Sequence, residues 1–434
     1  MAIGDIVVCL DVGASKVSCI VGQVNKFSKI EVIGHGMSNN GGLKKGIIYD
    51  PKITAESIKN AINAAEEIAG LNIKSAYVNI KGMNVRIERL SVIGDVEKPD
   101  EGLSYNDIYN LYKKMQTSIQ IDEKKEQIID IIPYCYYLND RQYKEEPIGA
   151  FCKQFTIDGD IVLGKNEYIE SILASMQLAD LKIDGLVLES LATSSITLMP
   201  EEKKLGVLMI DVGASHTEVS VYHENRLEFY TALPVGSDYI TNDISIAFDI
   251  SPEEAEKLKR QYNLAMEIMI NNNHEIKLNT VKDKDKPNMI RCSDVVGVIE
   301  ARISQINSVI RSLIVENMLL DKVECAVITG QGISNIAGVE ELVSLNLKLS
   351  QVRICSPKII NIVKPQYITA YGIAKQISVL GMSKHINSDV EILIEPTIKD
   401  KIFNIFFKSK LKKKKNKKEV KDIEEIDSNE VKED

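Results

Sequence analysis

The pentapeptide DVGAS stands at Asp11–Ser15, within IVVCLDVGASKVSCIVGQV, and again at Asp211–Ser215, within GVLMIDVGASHTEVSVYHE. In each copy an apolar run leads into the acid, the glycine marks a turn, and an alternating segment rich in β-branched residues follows. The pattern predicts two β-hairpins. A phosphate loop of the G-x-x-x-x-G-K type, or a G-x-G-x-x-G dinucleotide fingerprint, needs its glycine turn to open a helix, and neither motif occurs. A strand–turn–strand unit in two matched contexts points instead to a duplicated fold with a cleft between the copies. Gly13, Ala14, Gly213 and Ala214 are small enough for main-chain amides to approach an anion. Asp11 and Asp211 would then face a hydrated Mg²⁺, which takes one or two carboxylates and keeps much of its water. Lys16 and Ser15 are candidates for direct phosphate contact. A single D-V-G is an ordinary turn, and it is the repetition in matched settings that favours a functional reading.

The chain has 434 residues, 44% of them hydrophobic, enough for two or three domains. Its formal charge of −9 is unevenly spread: residues 397–418 carry +9, residues 419–434 carry −6, and the preceding body carries −12. An acidic body argues against nucleic acid as a partner. The seven cysteines are scattered, without a C-x-x-C, and read as buried reduced thiols of a cytosolic protein rather than metal ligands. No apolar stretch approaches the ~20 residues of a spanning helix. IVVCL, bracketed by Asp5 and Asp11, is expected to be neither signal peptide nor anchor.

Between the hairpins, Ile53–Gly70 has helical periodicity ending at a glycine, and SAYVNIKG after it reads as a strand. Lys165–Leu181 and GLVLESLATSSITLM read as helices. Residues 84–164 form a small α+β insert, with a polar helix near Tyr105–Met115 and turns at Pro99, Pro133 and Pro147. Beyond the second hairpin, SPEEAEKLKRQYNLAMEIM begins a helix with Ser251 as N-cap, Pro252 in the first position and acids in the first turn. Asn271–Met289 is polar and aperiodic, a surface excursion. SDVVGVIEARISQINSVIRSLIVENM is a long amphipathic helix, and ECAVITGQG a buried strand running into a glycine turn.

Both hairpins, VLESLATSS, PVGSDYITNDISIAFDISPEEAEKLKRQYNLA, VIEAR, VITGQGISNIAGVEEL and PQYITAYGIAK together resemble the actin and Hsp70 ATPase superfamily, and within it the FtsA family of bacterial cell-division proteins. The resemblance runs from about Ile6 to Gly381, and the insert with IIPYCYYLND and EEPIGAFCKQFTID resembles the small subdomain of that family. It implies an α/β, actin-like (duplicated RNase H-like) ATPase fold. Residues 1–83 with 165–200 would form one lobe and 201–385 the other, 386–396 a linker. ATP with Mg²⁺ is the implied cofactor. By position, Asp11, Gly13, Ser15 and Lys16 fall in the first phosphate loop, and Asp211, Gly213 and Ser215 in the second. Glu256, Lys259 and Arg260 fall on the helix bordering the adenosine, Gly330 and Gly332 in the adenosine loop. Glu189 matches the position near the attacking water; a helix-terminal carboxylate bonded to local amides is an equal alternative. Ala214, His216 and Glu218 depart from a second loop usually richer in Gly and Thr, and Gln331 stands where glycine is common. His216 reads as a packing or surface residue whose bulk would crowd the phosphates. ATP binding with slow or negligible turnover is the expectation.

The implied partners are the C-terminal peptide of the tubulin-like protein FtsZ and further copies of the chain in actin-like protofilaments. Arg302 of VIEAR matches a partner-contacting position, against the alternative of an ordinary surface ion pair. TIKDKIFNIFFKSKLKKKKNKK reads as an interfacial amphipathic helix with a polybasic flank: Ile398, Ile402, Ile405 and Phe406 share a face that Phe403 borders. Large apolar side chains at ~1.5 kcal/mol each and lysines at ~1 kcal/mol each near an anionic leaflet give reversible attachment. That would place the protein at the cytoplasmic face of the cell membrane, at the division site. The acidic segment 419–434 is expected to be disordered and to pair loosely with the lysines. Two other readings are a pilus-assembly relative with the same insert and a small-molecule kinase of the superfamily. The kinase needs a carboxylate base beside an acceptor pocket, to which no motif commits.

Overall fold

Both DVGAS copies close hairpins of the same register. Ile6–Val12 pairs antiparallel with Lys16–Val24, setting Asp11 opposite Ser18, and Val207–Val212 pairs with Thr217–His223, setting Asp211 opposite Glu218. The turns are shut alike, Gly13 N donating to Lys16 O and Gly213 N to His216 O.

The computed structural model describes residues 4–27, 29–44, 46–278, 288–355 and 365–379. In chain order these hold β1 (Ile6–Val12), β2 (Lys16–Val24), β3 (Ile30–Asn39), β4 (Leu43–Lys44), β5 (Ile47–Ile48), α1 (Pro51–Ala69) and β6 (Ser75–Ile80). β7 (Val85–Asp95), α2 (Tyr105–Thr117), β8 (Glu126–Leu138), β9 (Arg141–Tyr143) and β10 (Gln154–Lys165) follow, then α3 (Asn166–Leu178), β11 (Lys182–Leu188) and α4 (Glu189–Thr197). Next come α5 (Pro200–Leu205), β12 (Val207–Val212), β13 (Thr217–His223), β14 (Arg226–Leu233), α6 (Ser237–Phe248) and α7 (Pro252–Gln261). β15 (Glu275–Leu278), β16 (Asn288–Arg291), α8 (Cys292–Glu316), β17 (Cys325–Thr329), α9 (Val339–Leu347), β18 (Val352–Ile354) and α10 (Ile368–Val379) complete them.

Two five-stranded sheets repeat one plan. The first runs β3-β2-β1-β6-β11 and the second β14-β13-β12-β17-β18. In each, three antiparallel strands are continued by two parallel ones. Helices cover both faces of a parallel sheet half, so its central strands are nearly all apolar; Val7–Val12 and Val207–Ile210 are buried throughout. A separate sheet, β7-β10-β8-β9, carries α2. Its strands meet β14 through ions: Arg226 bonds Asp158 at 2.8 Å and Asp160 at 3.1 Å, while Arg89 reaches Glu228.

The structure corrects four local expectations. GLVL does not begin a helix but ends β11, its alternate residues completing the parallel edge beside β6; the helix starts at Glu189. Pro133 is not a turn. It lies within β8 at a register shift against β10, beyond the reach of β9, where a residue without an N–H costs no ladder bond. The helix at Pro252, with Ser251 Oγ accepting from Glu254 N, stops at Gln261 because Asn263 and Ala265 turn to bond the 335–337 segment. Part of the polar stretch 271–289 pairs as β15 with β16, covered by Leu278 and Ile290 packing into the core.

α10, assigned to the second lobe by chain order, packs on the first sheet. Ile373, Ala374 and Ile377 join Val7, Cys9 and Ala192 in one apolar cluster. Gly372 lies against the Ala192 carbonyl, where any Cβ would collide, and this close approach sets α10 directly on α4. Of the seven thiols, Cys9, Cys19, Cys135, Cys152 and Cys292 are buried, and none of the seven is in a disulfide. Among the described residues no helix is long and apolar enough to cross a membrane. Ile398, Ile402, Phe403, Ile405 and Phe406, with the basic and acidic segments around them, lie outside the described residues.

Candidate functional site

The two acids of the repeated turns act on one another within a single charge cluster, in which Asp11, Lys81, Glu189 and Glu218 are buried and Asp211 and Lys16 half-buried. Asp11 and Asp211 end β1 and β12; Glu189 opens α4; Glu218 lies on β13; Lys16 and Lys81 supply positive charge. Lys81 Nζ stands 2.5 Å from Glu189 Oε2, with both side chains buried. Asn79 connects the parts: its Nδ2 donates to Asp11 Oδ1 at 3.0 Å and Glu189 Oε2 at 2.6 Å, and its Oδ1 accepts from Val12 N at 2.7 Å. Glu218 reaches the other lobe, accepting from Gly82 N at 3.0 Å and from the Tyr230 hydroxyl. Tyr230 itself rests on Gly82, where an added Cβ would lie 2.6 Å from Cζ.

Burial dominates the electrostatics. It pushes Asp11 up to about 6, with Glu189 adding and Lys81 opposing, and pushes Asp211 up to about 7 with the same neighbours. Glu218 is raised to about 8, by burial and then by Glu189. Burial would also raise Glu189, but Lys81 and the hydrogen bonds from Lys81 and Asn79 hold it below the usual carboxylate range. Lys81 is held above its ordinary value, burial being outweighed by Glu189, Asp11 and Glu218. His216, 5% exposed, is lowered to about 4 by burial and then by Lys81, so its imidazole is neutral at physiological pH. It is a buried residue beside the second turn.

The other residues singled out from the sequence divide. Around the second turn, Ser237 N and Asp238 N bond Gly213 O and Ala214 O, and Gly332 N bonds Val212 O at 2.8 Å. Gly330, at φ +82°, lies against Val212 O and Asp211 Oδ1, leaving no room for a side chain. Lys259 Nζ bonds Thr241 Oγ1 at 2.7 Å and Glu256 Oε2 at 2.6 Å, fixing α7 on α6. Gly213, Gly330, Gly332, Glu256 and Lys259 thus line adjoining elements, whereas Arg260 is exposed and pairs with Glu256. Ser215 Oγ lies 3.3 Å from His216 Nδ1. Lys16 Nζ bonds Gln366 O at 3.1 Å, and burial lowers its pKa against the pull of Asp11 and Asp211. Glu189 is bonded by side chains from β6 and the residue after it, not, among the described contacts, by amides of its own turn. Arg302 does not join the cluster; it pairs with Asp243 at 2.5 and 2.8 Å beside a cavity of about 320 Å³.

Asn79 and Lys81 were missed in the sequence. Their signal was a polar Asn79 in the apolar end of β6 and, two residues on in strand period, Lys81 just beyond the strand. A larger cavity, about 670 Å³, lies between Val85–Arg89 and Leu227–Tyr230, but its arginines are matched by acids, Arg89 by Asp160 and Glu228, and Arg86 by Glu126. Two carboxylates beside glycine turns form the oxygen set a hydrated divalent ion takes. The close-packed glycines at 330 and 332 leave a cradle of backbone, so the residues present fit a magnesium–nucleotide.

Comparison with known proteins agrees with this architecture. The profile of the family described as Cell division protein FtsA matches residues 208–372. The FtsA of Bacillus subtilis is 28% identical over 369 residues, 85% of this chain and 82% of that protein. The Pseudomonas aeruginosa FtsA is 27% identical over 340 residues, covering 78% and 80%, and the Escherichia coli K12 protein 24% over 403 residues, covering 89% and 93%. Among solved structures, the PilM–PilN type IV pilus biogenesis complex superposes with a TM-score of 0.59 at 15% identity, covering 85% of this chain and 98% of that one. MreB5 of Spiroplasma citri bound to AMPPNP gives 0.50 at 11% identity, covering 88% and 98%. With its twice-built sheet and its paired acidic turns, this chain is similar to the FtsA cell division proteins and has an actin-like ATPase fold.

Proposed function

We propose that this chain is an ATP-binding division protein that assembles with copies of itself and tethers FtsZ filaments to the cytoplasmic face of the membrane. The observation that carries the nucleotide part is that Asp11 and Asp211, from equivalent turns of two duplicated sheets, share one charge cluster with Lys16. Mg-ATP, when bound, supplies a triphosphate whose charge complements the turn amides and Lys16. Asp11 and Asp211 hold the divalent ion, and Glu256, Lys259 and the Gly330–Gly332 loop border the base. Glu189, paired with Lys81, is a weak proton acceptor, which supports slow turnover.

The membrane part rests on the sequence of residues 397–418, and the FtsZ part on relationship and on Arg302. Calorimetry with Mg-ATP, and co-sedimentation with anionic liposomes and an FtsZ tail peptide, test the two parts separately. One site for ATP, and peptide sedimenting only when residues 397–418 are present, are expected. Brisk steady-state hydrolysis, or lipid binding independent of 397–418, would overturn the corresponding part.

A further inference from the structure

We propose that Glu189, His216 and Glu218 form a second metal site, for a divalent ion that accepts nitrogen, such as Zn²⁺, separate from the oxygen pair Asp11 and Asp211. All three residues are buried, and one ligand atom from each lies within 4.8 Å of the others. His216 Nε2 is 3.8 Å from Glu218 Oε1. Side-chain shifts of an ångström or so bring such a set to coordination lengths of ~2.0–2.2 Å.

The site arises from the duplication itself. Closure of the turns makes His216 the counterpart of Lys16, and strand register makes Glu218 the counterpart of Ser18. In the first hairpin both positions face a carbonyl, Lys16 Nζ and Ser18 Oγ donating to Gln366 O. In the second, the exchange of Lys for His and Ser for Glu points an imidazole and a carboxylate toward Glu189. These are the two departures in the second loop that phosphate binding does not use.

Outer contacts agree independently. Each ligand is oriented from behind, as metal ligands are. Ser215 Oγ is at His216 Nδ1, leaving Nε2 toward the carboxylates; Tyr230 and Gly82 N hold Glu218; Asn79 and Lys81 hold Glu189 Oε2, leaving Oε1 for the ion. One imidazole with two carboxylates suits zinc, whereas Mg²⁺ prefers an all-oxygen shell.

The test is titration of the tag-free, chelator-treated full chain with Zn²⁺, without nucleotide and with Mg²⁺ in large excess. One Zn²⁺ per chain is expected. His216→Ala and Glu218→Gln each weaken binding by at least the ~10–100-fold that loss of an outer partner costs, and Tyr230→Phe weakens it about 10-fold. Tyr230→Phe keeps the ring on Gly82 and so remains informative if the ligand variants fold poorly. Asp11→Asn, which removes a carboxylate of the nucleotide side, leaves Zn²⁺ bound. Failure of the wild-type chain to take Zn²⁺, unchanged affinity in both His216→Ala and Tyr230→Phe, or loss on Asp11→Asn alone overturns the assignment. None of these results depends on whether ATP binds.

Discussion

Replacing Lys81 with methionine removes the ammonium that touches Glu189 and leaves the volume nearly unchanged. Its Nζ is 2.5 Å from Glu189 Oε2, the pair is buried, and Asp11 and Glu218 lie within its field. Removing one member of a buried pair costs about 3–5 kcal/mol, because the remaining charge stays desolvated. The two further carboxylates, Asp11 and Glu218, place Lys81→Met at the upper end of that range. Glu189→Gln leaves Lys81 with the fields of Asp11 and Glu218 and costs less. In Lys81→Met/Glu189→Gln no isolated charge remains of the pair, so the double variant is more stable than the sum of the singles by about 2–3 kcal/mol. The cost also depends on pH, since acid neutralises the orphaned carboxylates: it is large at pH 8 and shrinks toward pH 5. Urea unfolding of the four proteins at both pH values, followed by circular dichroism, measures each quantity. A Lys81→Met cost below about 1 kcal/mol at pH 8, or additive single variants, would refute the view that this pair anchors the cleft.

The metal-free and nucleotide-free protein should lose stability between about pH 4 and 8. Asp11, Asp211 and Glu218 have folded values near 6, 7 and 8, above their unfolded ones, so the native state binds more protons across that window and unfolding becomes easier as pH rises. Thermal melts over this range check the sign, and Mg-ATP should flatten the slope. Gly330→Ala forces a side chain into Val212 O and Asp211 Oδ1 at positive φ, so calorimetry should show Mg-ATP binding lost together with about 1–3 kcal/mol of stability. Deleting residues 419–434 should raise sedimentation with anionic liposomes at low salt, by freeing the lysines before it; an unchanged bound fraction discards that pairing.

The duplicated hairpins were legible because apolar runs, a turn glycine and alternation are local signals, and the same local logic found Ser251 and Pro252. The helix misread at GLVL and the turn misread at Pro133 share a cause. What made each a strand was a neighbour distant in sequence, β6 for the first and β10 for the second. The charge cluster was half visible. Asp11, Asp211 and Glu189 sit in recognisable motifs, whereas Lys81 gains its meaning only when β6 is laid between β1 and β11 and its side chain arrives at Glu189. His216 was noted as an oddity of one loop, and its neutral, buried state follows from a packing that no window of sequence contains.

The return of α10 to the first sheet has a mechanical side. It is the last described element before the basic segment, and the turn just before it offers Gln366 O to both Lys16 and Ser18. A load applied to the chain beyond residue 379 therefore enters the body through α10 and reaches the lysine of the first acidic turn within a few bonds. On the proposed reading of residues 397–418 as an anchor and of Lys16 as a phosphate contact, a pull on the one would tug on the other, so the two proposed functions share a single lever.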